Sequence, residues 1–268
     1  MVNISIVQGR LSSMVGTRYQ HFPTHAWREE FKIASQIGFD GIEWIISDFS
    51  NPIFDINSLE EVKVLSDKTG VLIDSISLDV LMYNPIHSLS WDDIYWLFER
   101  LCIAVKKLKV LRVSIPIEEN SGIHDYNDAT EVIARLKKVL NNFSSRIPFI
   151  CIETDLSPKN IYSLINLSGL SKLGVLIDLG NIASNGYRLD DYFKLFSNKI
   201  YGVHIKDRGE LFVPNVPFGK GVSEIKLFLD RYDELKNLTS ITLQSFRSPD
   251  KYIENAKFAF KYVKEHIQ

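Results

Sequence analysis

Residues 174–205 read GVLIDLGNIASNGYRLDDYFKLFSNKIYGVHI. The run Gly174–Asp178 is short, apolar and β-branched, as a strand buried on both faces requires. Leu189–Phe196 carries apolar residues at helical spacing, and Ile200–Ile205 is strand-like again. Strand, helix and strand in one short stretch make a βαβ unit, which implies parallel pairing. The two strands also end in side chains foreign to a core, Asp178 and His204.

The same unit recurs on both sides. Strands are expected at Val2–Val7, Gly41–Ile46, Val71–Leu78, Val110–Ile115 (ended by Pro116), Pro148–Glu153 and Ser240–Gln244. Helices are expected at Thr24–Ile37, Leu59–Thr69, Trp91–Leu108, Asn127–Phe143, after the Ser157-Pro158 cap, and at Val222–Tyr232 and Pro249–His266. Eight strand–helix units with no linker or low-complexity tract predict one α/β domain over residues 1–268, closed into a (β/α)₈ TIM barrel. An open doubly wound sheet would place a glycine-rich turn after its first strand; VQGRLSS has a single glycine.

Composition narrows the function classes. The 268 residues are 45% hydrophobic and 24% charged, with a formal net charge of -2. That balance gives no general pull toward a phosphate backbone, so no nucleic-acid partner is expected. Cys102 and Cys151 sit in apolar runs and read as reduced core thiols. The first residues lack the pattern of a signal peptide, and no apolar run approaches a membrane span, so a cytoplasmic protein without a membrane partner is expected.

In such a barrel the chemistry sits at the C-terminal ends of the strands. Glu153, Asp178, His204 and Gln244 fall there on strands five to eight. Each alone reads as a hydrogen-bonded strand-end group. Four at one height on consecutive strands read as a site, with donors suited to one divalent ion such as Mn²⁺, Mg²⁺, Co²⁺ or Zn²⁺. Such an ion polarises a carbonyl or a hydroxyl pair and acidifies the neighbouring proton.

These residues sit in motifs: QGR at 8–10, FDGIEW on strand two, CIET on strand five, LIDLGN on strand six, VHIKDR on strand seven and PFGKG at 217–221. In their order and placement the chain resembles the xylose isomerase-like TIM barrel superfamily, the AP-endonuclease-2-like family, in its sugar-phosphate isomerase/epimerase branch. The resemblance implies a metal-dependent isomerase or epimerase for a sugar, sugar phosphate or related polyol. It implies a metal held by Glu153, Asp178, His204 and the residue at 244. The family has a carboxylate at 244 that pairs with the strand-five glutamate in acid–base catalysis; Gln244 has no proton to exchange there. Asn181 stands where many relatives have histidine.

Three readings therefore stay open. Glu153 is the only carboxylate acid–base group, with Lys206 or His204 as second proton carrier; or the reaction needs one base, as in an inosose-dehydratase-like lyase or a 1,2-enediol isomerisation; or the barrel binds a sugar without chemistry. Lys206 and Arg208 follow His204, and Lys206 shares its strand parity and should face the mouth, where it would hold an anion or pair with Asp207. Arg10 and Arg247, past strands one and eight, could clamp an anion together. Glu43, inside strand two, needs a basic partner such as Arg10 or Arg112. Trp27, Trp44 and Phe22 are expected in the core or along the pocket wall. The expected partner is a small sugar or sugar phosphate, with a homo-oligomer allowed. A DNA-repair AP endonuclease would need several histidines at strands two to four, which supply none.

Overall fold

The computed structural model describes residues 2–14, 16, 20–210 and 215–267. Eight parallel strands close into a barrel: β1 (Asn3–Val7), β2 (Gly41–Ile45), β3 (Leu72–Ser77), β4 (Arg112–Ile117), β5 (Phe149–Thr154), β6 (Leu173–Asp178), β7 (Ile200–Ile205) and β8 (Ser240–Leu243). Neighbours in sequence pair throughout, and β1 closes the ring against β8, with Asn3 opposite Ser240 and Ile6 opposite Leu243. Helices alternate with the strands, so the molecule is a single (β/α)₈ barrel. None of the described helices is long and apolar enough to cross a membrane.

Alternation along β2 shows how the layers form. All five residues of GIEWI are buried, because the strand is covered on both sides. Trp44 faces the helices, packing at 5.2 Å from Phe22 and 5.5 Å from Trp27, and donates Nε1–H to Asn51 at 2.9 Å. These aromatics belong to the core between barrel and helices rather than to the cleft at the mouth. Glu43 points into the barrel and meets Arg112 of β4 at 2.5 Å, both side chains fully buried. The guanidinium occupies space that β7 leaves open: a Cβ on Gly202 would lie 1.2 Å from Arg112 Nη1. Cys102 and Cys151 are buried and free.

Two sequence expectations need correcting. Pro116 does not end strand four; the strand continues to Ile117, with Pro116 opposite Glu153. A proline lacks only the donor N–H, and so close to a strand end that loss is tolerated. The helix expected over Val222–Tyr232 is a short one, Ile225–Leu229, followed by a 3₁₀ turn at Tyr232–Glu234. Its first expected residues serve a loop instead: Val222 N–H donates to Arg208 O at 2.8 Å and Ser223 N–H to Asp207 Oδ1 at 3.2 Å.

Candidate active site

The parallel register sets Asp178 directly beside His204, while Glu153 is the penultimate residue of β5, the strand next to β6. Glu153, Asp178 and His204 are all buried, and each offers a ligand atom within 4.8 Å of the others. His204 Nδ1 lies 3.2 Å from Glu153 Oε1 and 3.9 Å from Asp178 Oδ2. Its other nitrogen, Nε2, meets Glu43 Oε1 at 2.5 Å. The Glu43 carboxylate accepts a hydrogen bond from Nε2–H and so turns Nδ1 toward the two strand-end carboxylates. Burial alone would lower the His204 pKa, but Glu43 and Glu153 together hold it well above the usual range. Burial would raise Glu43, yet His204 and Arg112 bring it down to about 2.

Asp178 has two tasks. Its Oδ1 accepts the Asn181 N–H at 2.9 Å and so caps the short helix Leu179–Ser184. Its Oδ2 faces Lys206 Nζ at 2.8 Å. Lys206 thus pairs with Asp178 rather than with Asp207, and it reaches there by lying over Gly180, where a Cβ would come within 2.4 Å of its stem.

Above this floor lies a cleft of about 280 Å³ bordered by Glu153, Lys206, Arg10, Arg208 and Gln244 among the expected residues. Glu43 lies beneath it. Asn181 stands behind its rim, donating Nδ2–H to Glu118 Oε2 at 2.7 Å. Arg247 does not join Arg10 at the cleft; its Nη2 donates to the carbonyls of Ser12 at 3.2 Å and Ser13 at 2.7 Å. It braces the loop after β1 together with Glu30, whose carboxylate accepts the N–H groups of Gly9 at 3.0 Å and Leu11 at 3.2 Å. Burial pushes Glu30 up to about 7 in spite of these donors, the Ser12 hydroxyl and Arg247.

That braced loop brings in Gln20, which the sequence did not single out. Gln20 Oε1 accepts from Arg10 at 2.8 Å and from Gln244 Nε2 at 2.7 Å, and its Nε2 donates to Asp79 Oδ2 at 2.9 Å. Asp79, just past β3, is pushed up to about 6 by burial, although Ser77 and Gln20 donate to it. Glu118, one residue past β4, is the other unforeseen member. Burial and then Glu153 raise its carboxyl well above the usual value, against the opposing pull of Lys206. The signal was present as IPIEEN, a glutamate directly behind a strand, but a strand stopping at Pro116 puts Glu118 in a loop.

Arg208 is positioned by a two-residue antiparallel ladder, Asp207–Arg208 against Asn215–Val216. Asp207 anchors the PFGKG turn by accepting from Gly219 N at 2.8 Å and Gly221 N at 2.9 Å. Residues 211–214 of the expected loop Glu210–Gly221 lie outside the described residues.

The donor set suits a divalent ion. Two carboxylates and an imidazole nitrogen oriented by Glu43 converge, and the buried Gln244 Oε1 has no hydrogen-bond partner among the described residues. Lys206 marks the same place as one that attracts positive charge.

A closed barrel with a polar cleft and an ion-ready triad on β5, β6 and β7 defines a TIM barrel with its site at the C-terminal end. The family model described as xylose isomerase-like TIM barrel matches residues 31–262, and the chain belongs to that family. No curated protein matches the chain in sequence. Among solved structures it is similar to the IolI protein with a bound zinc atom, at 14% identity and TM-score 0.73, covering 99% of this chain and 98% of that one. It is also similar to D-psicose 3-epimerase with D-tagatose from Clostridium cellulolyticum H10, at 12% identity and TM-score 0.72 over 100% of both chains. A third is the 3-keto-D-glucoside 4-epimerase YcjR from E. coli, at 12% identity and TM-score 0.73, covering 99% of this chain and 100% of that one.

Proposed function

We propose that the protein is a divalent-metal-dependent isomerase or epimerase that moves a proton next to the carbonyl of a sugar, sugar phosphate or related polyol. The observation that carries this reading is Glu153: of the three converging residues it alone borders the cleft, so its carboxylate can reach a bound molecule. The solved relatives named for epimerase activity on a sugar, and the one named for bound zinc, support the class of substrate and the ion.

Glu153, Asp178 and His204 would hold the ion, with Gln244 Oε1 as a neutral fourth donor. When bound, the ion would polarise the substrate carbonyl and lower the pKa of the adjacent C–H. Glu153 removes that proton. Arg10, Gln20 and Gln244 offer hydrogen bonds to hydroxyls from the far rim, and Arg208 offers a guanidinium to an anionic group. A one-base lyase remains a second reading, favoured by the amide at Gln244.

The test is solvent exchange. With Mn²⁺ present, a panel of ketoses, aldoses, inososes and their phosphates is incubated in D₂O and followed by NMR. The wild type is expected to exchange a C–H next to a carbonyl in at least one member, and Glu153→Gln to lose at least about 10³-fold of that rate. A wild type inert toward the whole panel contradicts the reading.

A further inference from the structure

We propose that the outer face of the helix Trp91–Leu108 is the interface of a two-fold homodimer, in which two copies of this helix pack antiparallel across the midpoint between Glu99 and Arg100. The inference is independent of the reaction assigned to the barrel mouth.

The helix buries one side through Leu97, Phe98, Leu101 and Val105. The opposite side of such a helix should be polar. It carries instead Trp96, 40% exposed, and Ile103, 56% exposed. Asp92, Trp96, Glu99, Ile103 and Lys106 follow the i, i+4, i+7, i+11, i+14 stripe of a single face. Phe49 and Phe54 set their rings 6.1 Å and 5.5 Å from Trp96 and widen the apolar patch. The helix Tyr126–Phe143 is equally long, yet it exposes one large hydrophobic side chain, Tyr126 at its first position. An apolar centre is therefore particular to Trp91–Leu108, and a patch of that kind marks a contact.

Charge identifies the occupant. Asp92 and Asp93 open the helix, and Lys106 and Lys107 close it. The helix dipole favours that order of signs, but it does not account for Trp96 and Ile103 between them. Turned end for end, the face is its own complement. Asp92 and Asp93 come opposite Lys106 and Lys107 of the second copy, and Trp96 comes opposite its Ile103, once on each side of the two-fold. Parallel packing would set acid on acid and base on base. Lys107 already meets Glu60, whereas Asp92 and Lys106 have no ion-pair partner among the described residues. The charges nearest the two-fold are answered within each chain. Glu99 accepts from Arg146 at 2.8 Å and 3.0 Å, and the Arg100 guanidinium lies 5.6 Å from the Trp96 ring.

Shape agrees with charge. Beside Ile103 runs an open groove of about 620 Å³, lined by Cys102, Ile103, Lys106, Lys107 and Arg146. In the antiparallel arrangement Trp96 of the second copy faces this groove, where the lysine stems offer it apolar surface while their ammonium groups stay in water. One face thus carries both the knob and the recess that receives it, two helical turns apart.

The experiment is sedimentation velocity of the full chain over a concentration series reaching about 100 µM. The wild type is expected to form dimers, with a dissociation constant that rises as salt screens the end pairs. Trp96→Ser should raise that constant at least about 30-fold. Ile103→Asp, at a position outside the core, should do the same without touching the packing of its own chain. Lys106→Asp should raise it at least about 5-fold, because an acid then faces Asp92 twice in each dimer. Adding Asp92→Lys to that chain reverses both signs and should return the constant to within about 3-fold of the wild type, a recovery that antiparallel packing alone allows. A wild type that stays monomeric at the highest concentration overturns the inference. So does a dimer unmoved by Trp96→Ser and Ile103→Asp, or a Lys106→Asp loss that Asp92→Lys does not recover.

Discussion

The two halves of the barrel mouth differ in what they can do with charge. From β3 to β6 the rim carries acids after or at the end of every strand: Asp79, then Glu118 and Glu119, then Glu153, then Asp178. From β7 round to β1 it carries Lys206, Gln244, Arg10 and Gln20, none acidic. Like charges at such spacing cannot all ionise without nearby cations. The acidic half therefore either binds protons more tightly than usual, as Asp79 and Glu118 do, or collects cations, as Asp178 and Glu153 do from Lys206 and His204. The far half joins Arg10, Gln20 and Gln244 in a hydrogen-bond net without a carboxylate. That contrast is what the polyol-handling site proposed above would use.

The strongest way to break this contrast is from below. Arg112 is the buried cation under the acidic half, and Glu43 links it to His204. Arg112→Leu leaves Glu43 buried with half its compensation. It should cost about 3–5 kcal/mol, read as a lower denaturant midpoint, and a loss below about 1 kcal/mol would deny the relay its role.

Asp79 is the link between the halves through Gln20. Its folded pKa of about 6 lies above the ordinary 3.8, because burial favours the neutral form. The folded state therefore binds more protons than the unfolded state between those values. Its contribution to stability is full below about pH 4 and is lost as pH rises through 6. Asp79→Asn should remove about 2–3 kcal/mol of that fall. Denaturant midpoints of variant and wild type, measured at pH 4 and pH 7, should converge at the acidic end. Parallel curves would contradict it.

Gly180→Ala tests how Lys206 reaches Asp178. The added Cβ would meet the Lys206 stem at 2.4 Å. The flexible side chain can yield, so about 1–2 kcal/mol of stability should be lost. The ammonium should leave Asp178, read as easier lysine modification at that position; unchanged reactivity would sink the point.

Most of the fold was legible because strands buried on both faces read as uninterrupted apolar runs between amphipathic helices. The triad was legible because Glu153, Asp178 and His204 recur at one strand height. What escaped reading depends on distance or on a single backbone detail. Gln20 enters through a loop held by Glu30 and Arg247, residues 217 apart whose meeting no local pattern announces. Glu118 was hidden by the breaker rule for proline, which β4 sets aside. Arg247 was read with Arg10 because both follow neighbouring strands; its guanidinium turns instead to the carbonyls of Ser12 and Ser13.

The claim under all of this is that Glu153, Asp178 and His204 share one divalent ion. Elemental analysis of the purified protein after dialysis against limiting Mn²⁺ tests it directly, with Asp178→Asn and His204→Ala alongside. The account predicts about one equivalent of metal per wild-type chain and less than about a tenth in either variant. A wild type that holds no metal, or variants that hold as much as the wild type, would contradict it.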